Sequence, residues 1–363
     1  MNRLLMMLAS ALAVMHALPL FAADPELEKL NPSERAVIQK LLAIDPKLTW
    51  SGGERVGSIG FSPRGATTAA IALLPQLPSF SALNLHQEFY KRIEGWKPGD
   101  LGPLSRCPNL RILRIVIAEH HTPETWKSLP VLSQVKELHI FDQSTGRVII
   151  SDRCLQVDKI ILWTDSQEQF NADQFQKHNQ LKKLSLHLGK STWNGEGLSR
   201  LANCPSLEEL KIDGEGLTNV ALREIGSIKT LKSLTLLGGK FTPEGFESLT
   251  EVESLRCTEP WFNDELAMGL KNSHKLKQLD VMNTEVHGAC FKVLATLPLE
   301  VIKASKIRME DLHLLKDCKT LKSLRLEAKS KTEIELQGRI WEAIGQKAGL
   351  ARTWTGAKGD DPR

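Results

Sequence analysis

Cys204-Pro205-Ser206-Leu207-Glu208-Glu209-Leu210-Lys211-Ile212 places apolar residues at 207, 210 and 212 and leaves charged or variable ones between them. The alternation across its last positions is the period-two mark of a strand with one face buried. Outward from this stretch the same apolar-x-x-apolar-x-apolar template recurs, at intervals mostly of 21 to 26 residues, and twelve copies align. Their first positions are Val56, Phe80, Leu110, Val135, Val157, Leu181, Leu207, Leu231, Val252, Leu276, Leu299 and Leu321, with the other two apolar positions three and five residues further on in every copy. All 36 positions are apolar in a chain that is 41% hydrophobic, so a repeating fold and not composition sets the pattern.

A second signal follows most copies: an apolar residue, a capping residue, then apolar positions at helical spacing. Phe241-Thr242-Pro243-Glu244-Gly245-Phe246 with Leu249 shows it best, with Thr242 as expected cap and Pro243 in the first turn. The same reading fits Thr218 with Leu222 and Ile225, Thr122-Pro123 with Trp126 and Leu129, and Asn194 with Leu198 and Leu201. Each copy is then one coil of strand, turn, short helix and return.

On these residues the chain resembles the leucine-rich-repeat family, nearest to its ribonuclease-inhibitor-like and cysteine-containing subclasses. The resemblance covers roughly Trp50 to Glu327. It implies an α/β solenoid of about 12 coils, a horseshoe with a parallel β-sheet on the concave face and helices on the convex one. The fourth coil departs from it, with a polar stretch from Asp142 to Asp152 where a helix is due. The 363-residue chain, about 340 without its apolar leader, would otherwise suggest two globular domains, but repeats escape the limit on core size by growing in one dimension.

The expected organisation is a signal peptide over 1–22, an amino-terminal cap over 23–49, the solenoid over 50–327, a carboxy-terminal cap helix over 328–350 and a disordered tail over 351–363. The signal peptide is read from Arg3, the apolar run Leu4 to Leu20 and the small residues before Asp24. It predicts an exported chain, periplasmic or secreted, with no membrane insertion once the segment is removed. The caps are read from amphipathic patterns over Ser33 to Ile44 and Glu333 to Ala348, since an end coil would otherwise leave its apolar flank in water. Asn31-Pro32-Ser33 is blocked as a glycosylation acceptor by its proline, and no other acceptor exists, which leans towards a bacterial source.

Six cysteines in an exported chain would ordinarily suggest disulfides. Register argues otherwise: Cys107, Cys154, Cys204 and Cys318 occupy equivalent positions in coils at least two apart, about 10 Å away from one another, beyond the ~7 Å reach of a bridge. They are expected as buried thiols; Cys257 on a strand and Cys290 on a helix are expected unpaired too, though register excludes their pairing less firmly. Charges beside the first column alternate in sign from Lys136 through Asp158, Lys182, Glu208, Lys232, Glu253, Lys277 and Glu300 to Lys322. With a net charge of +4 from 47 basic and 43 acidic residues, this ladder points away from nucleic acid as partner.

No hydrolase, zinc-protease, phosphate-loop or dinucleotide motif is present, so no catalytic residue, metal site or cofactor is expected. Glu119-His120-His121-Thr122-Pro123-Glu124 is the nearest thing to a metal site, and it reads more simply as a helix start. The inner surface carries the candidate site instead. Ile112, Arg114 and Val116, then His139 and Phe141, then Ile161 and Trp163, then His187, are expected to form an apolar patch ringed by basic residues and histidines. A loop between His86 and Trp96, with Tyr90 in it, is expected to rise beside the patch. The competing expectation is that Phe141 and Trp163 fold down onto the irregular fourth and fifth coils. Beyond the patch, Glu209, Lys211, Asp213, Arg256, Asp280, Lys303, Arg325 and Glu327 nearly cancel in charge. The function expected is reversible protein or peptide binding by a monomer. Binding of envelope glycan through Trp163 and Phe141 is an alternative, and hydrolytic or metal chemistry at the inner-face histidines a remote one.

Overall fold

The computed structural model describes residues 25–62, 64–85, 98–117, 127–142, 152–164, 171–305 and 307–326. Its centre is one sheet of thirteen strands in chain order: β1 Thr49–Gly52, β2 Val56–Gly60, β3 Ala82–Asn84, β4 Ile112–Ile117, β5 Glu137–Asp142, β6 Lys159–Thr164, β7 Lys183–His187, β8 Glu209–Asp213, β9 Ser233–Leu237, β10 Ser254–Cys257, β11 Gln278–Val281, β12 Val301–Ala304 and β13 Ser323–Leu326. From β2 onward every neighbour pairs in parallel, whereas β1 pairs antiparallel with β2. The sheet does not close. Twelve parallel strands each carrying one copy of the template make an open leucine-rich-repeat solenoid.

The template's register is the sheet's register. Leu184, Leu210, Leu234, Leu255 and Leu279 are successive Cα partners across β7 to β11. Of the 36 template positions, 34 are buried, and Leu324 and Leu326 of β13 are partly buried against the same core. Full burial of a leucine side chain contributes about 1.5–3 kcal/mol, and here the covering atoms come from the coils on either side.

At the amino-terminal edge the helix Pro32–Ile44 buries Val37, Ile38 and Leu41. Asn31 caps it by accepting the Glu34 amide at 3.0 Å. Buried Glu34 accepts the Val56 amide at 2.6 Å, and Asp45 accepts the Ser62 amide and hydroxyl, both at 2.8 Å, so the helix is tied to the first parallel strand at two points. Strand β1 adds an antiparallel member that the sequence reading did not contain.

Among the described residues the outer side is mostly 3-10 turns, as at Pro98–Arg106, Ala172–Phe175, Leu198–Asn203 and Met309–Asp317, with the longest α-helix there being Asn219–Gly226. Coils this short leave room for only a turn or two, and a 3-10 turn places residues three apart on one side. Leu101 with Leu104, and Leu198 with Leu201, use that spacing to point inward. Thr218 caps its helix as expected, accepting the Val220 amide at 3.3 Å. Thr242 stands at a helix start without a capping bond: its hydroxyl donates to Glu244 and accepts the side-chain Nδ2 of Asn219 at 2.7 Å. Asn194 is no cap either, since Gly197 with φ of 89° begins that turn.

All six cysteines are buried and unpaired. Burial pushes the Cys107 and Cys204 thiols up to about 11 and Cys154 to about 12. Cys204 donates to the Phe175 carbonyl at 3.3 Å, 29 residues back, which bonds two coils together. The charge ladder is not continuous: Lys232–Glu208 at 2.7 Å, Lys277–Glu253 at 2.8 Å and Lys322–Glu300 at 2.7 Å are separate pairs. Arg111 and Lys136 turn instead to backbone carbonyls, those of Pro108 and Gln134 and of Gln156.

The fourth-coil stretch, the Glu119 to Glu124 segment, the loop holding His86 and Tyr90, the leader, the carboxy-terminal cap and the tail lie outside the described residues. Two measurements check the spine. Leu210→Ala should lower unfolding stability by about 2–5 kcal/mol in denaturant titration, and none of the six thiols should react with a thiol reagent until the chain is unfolded.

Candidate functional site

Outward-facing residues of the parallel strands fall into three rows, because parallel register sets equivalent positions side by side at about 4.8 Å. One row runs Val116, Phe141, Trp163, His187, Asp213 and Leu237 across β4 to β9. The middle row runs Arg114, His139, Ile161, Ser185, Lys211 and Thr235 across the same strands. The remaining row holds Ile112, Glu137, Lys159, Lys183, Glu209 and Ser233.

Eight of the expected site residues are therefore gathered on β4 to β7, and Trp163 stands outside the aliphatic spine. Its indole is stacked between Phe141, with centroids 4.3 Å apart and planes 6° from parallel, and His187, at 5.1 Å and 8°. His187 in turn reaches Asp213, Nδ1 to Oδ2 at 3.5 Å. The rings form one continuous row across three strands. Both faces of the indole are closed, and the row presents ring edges, which carry the positive end of the aromatic quadrupole. The Trp163 N–H makes no hydrogen bond within the protein among the described residues. Phe241, Phe246, Trp261 and Phe262, by contrast, meet at steep angles. Phe246 and Phe262 are fully buried and belong to the core.

Two of the expected surface residues are not on the surface. Val116 is 1% exposed and His139 8%. Val116 sits in register beside Phe141, which packs against the same hydrophobic cluster. His139 is bonded to Glu137, which accepts its Nε2 at 2.5 Å and Lys159 at 3.0 Å, and its ring lies 5.8 Å from the Trp163 ring on the next strand. Ile112, Arg114, Ile161, Trp163 and His187 are partly exposed.

Burial holds the His139 imidazole below its ordinary value, against the opposing hydrogen bond from Glu137, with Arg114 adding to the depression. Burial alone would raise Glu137, but the hydrogen bonds from His139 and Lys159 outweigh it and the carboxyl is held low. His139 is accordingly neutral at pH 7 and Glu137 charged. Asp213 ends the ring row at His187 and Glu137 holds His139 beside it; the sequence reading set neither within the patch, because their roles depend on which strand position faces which. No hydroxyl or thiol is bonded to either histidine ring, and no group of three metal-ligating side chains converges, among the described residues.

Solved structures to which the chain is similar include an internalin, InlF, of Listeria monocytogenes, 15% identical over 94% of this chain and all of that one, with a TM-score of 0.45. The complex of TLR13 with ssRNA13 is 17% identical over 76% of this chain and 44% of that one, TM-score 0.44. The functional domain of InlJ from Listeria monocytogenes, described as including a cysteine ladder, is 11% identical over 70% of this chain and 55% of that one, TM-score 0.39. No protein-family model and no curated protein matches the chain.

The depressed imidazole sets a pH dependence. As pH falls through the ordinary imidazole value of about 6.5, the unfolded chain takes up a proton that folded His139 refuses, so stability drops. Glu137 contributes stability above the ordinary glutamate value that is lost only as pH falls through and below about 4.5. His139→Gln should flatten the fall in Tm between pH 7 and pH 5 while leaving the lower step in place, as thermal melts across pH would show.

Proposed function

We propose that the chain is a non-catalytic binding scaffold that works outside the cytoplasm and captures a protein or peptide through its concave face. The observation that carries this reading is the row Phe141, Trp163 and His187: large rings held partly exposed on a sheet face and already fixed by one another. Side chains immobilised before binding lose little entropy on binding, and tryptophan is among the residues that most often dominate an interface. Twelve parallel strands extend over roughly 50 Å, ample for a patch of ~800 Å². Export is proposed from the apolar leader at Leu4 to Leu20, and no helix among the described residues is long and apolar enough to cross a membrane.

Glycan recognition is less well supported. A sugar ring stacks on an open aromatic face, and Trp163 has none; only the outer faces of Phe141 and His187 remain.

Affinity capture with immobilised protein, followed by mass spectrometry, tests the proposal. Partner retention should be lost in Phe141→Ala/Trp163→Ala. Removing the stacked indole should cost about 1–3 kcal/mol of stability for two ring pairs, so retention is compared well below the variant's Tm. Undiminished capture by the folded double variant would remove the rings from the site, and retention of envelope polysaccharide in place of protein would reverse the choice of partner class.

A further inference from the structure

The middle row continues past the rings. After Lys211 on β8 and Thr235 on β9 come Arg256 on β10, Asp280 on β11, Lys303 on β12 and Arg325 on β13, each the register partner of the next. Of the eight charges that nearly cancel along the sequence, Glu327 lies outside the described residues, and the other seven fall into different rows. Glu209 lies in a flanking row and is paired with Lys183 at 2.7 Å, while Asp213 lies in the other and faces His187. The middle row from β8 to β13 keeps four cations and one carboxylate. That carboxylate, Asp280, is shared by Arg256 at 3.9 Å and Lys303 at 3.5 Å and also accepts the Met282 amide. Lys211 and Arg325 make no ion pair among the described residues. Arg256 is exposed and the other three cations partly so.

Spacing adds a second constraint. Lys211, Arg256 and Lys303 occupy every second strand, so their steps are about 10 Å. A polyproline-II helix advances ~3.1 Å per residue with three residues per turn, and returns every third side chain to the same side at roughly 9.3 Å. A β-conformation returns side chains at about 6.7 Å and falls out of step.

We infer that this basic stripe docks an acidic peptide segment in polyproline-II conformation, laid across the strands with a carboxylate at every third residue. The inference rests on the concave-face binding reading and names the chemistry of its partner. Charge complementarity and matched repeat select the peptide. Single-stranded nucleic acid would bring the same charge, but its bases need open aromatic platforms, and the stripe from β8 to β13 contains no aromatic residue.

Fluorescence anisotropy with the full chain tests it, using a labelled peptide of about four Glu-Pro-Pro repeats, whose proline content holds the required helix. The comparison probes are the Lys-Pro-Pro counterpart, a peptide of the same composition with its glutamates contiguous, and an oligothymidylate of equal charge. The Glu-Pro-Pro peptide should bind, weaken with added salt, and exceed the contiguous peptide several-fold. Lys211→Glu/Arg256→Glu/Lys303→Glu should lose at least tenfold. The milder Lys211→Gln/Arg256→Gln/Lys303→Gln, checked for an unchanged melt, should show the same direction. Equal binding of the Lys-Pro-Pro peptide, no loss in a folded triple variant, no binding of the Glu-Pro-Pro peptide, or tighter binding of the oligothymidylate would each overturn the inference. Failure here with capture still lost in Phe141→Ala/Trp163→Ala would leave the concave-face reading standing. Undiminished capture by that double variant would instead strike the reading, whatever the peptide does.

Discussion

Lateral burial of the three aliphatic files is the constraint from which the remaining architecture follows. No coil has enough chain to enclose its own Leu207, Leu210 and Ile212; the coils before and after supply the covering atoms. Because the files must lie in register for this to work, the residues between them are forced into register too. The sheet face then becomes a grid whose columns are coils and whose rows are fixed positions within a coil. Any chemistry on that face is written one residue per coil, and its spacing is that of the strands.

That grid explains what was legible in the sequence and what was not. The files were readable because leucine or its equivalent is needed at the same three places every time, and the unpaired thiols because four cysteines share one place in non-adjacent coils. Gathering Phe141, Trp163 and His187 on one face was readable from alternation alone. How deeply Val116 and His139 sink was not, since depth depends on neighbours 22 to 25 residues away that the local pattern does not contain. The charge ladder misled in an instructive way. Alternating sign does place opposite charges side by side, but Glu208 bonds Lys232, while Lys182 acts on it only through its field. Likewise Lys211, Arg256 and Lys303 look neutralised along the chain by Glu209, Asp213 and Asp280, and only row assignment separates two of those carboxylates from them.

The concave surface thus has two neighbouring regions of different character. On β5 to β7 the rings close upon one another and offer edges and an indole N–H; from β8 onward the middle row offers cations at even steps. Both offer positive electrostatic character to whatever lies on them, one through quadrupole edges and the other through formal charge. The two regions adjoin on one face of one sheet.

The six reduced thiols carry a consequence for how the protein ages. While coils remain stacked, sulfur is shielded and, with Cys107, Cys154 and Cys204 held near 11 to 12, scarcely ionised. A fluctuation that peels several coils apart frees sulfurs that native geometry keeps out of reach of each other, and any oxidant present can then join them in pairs the folded chain cannot accommodate. Such a crosslink acts as a ratchet. Survival in an oxidising medium is then governed by how seldom the stack opens, a matter of rate and not of equilibrium.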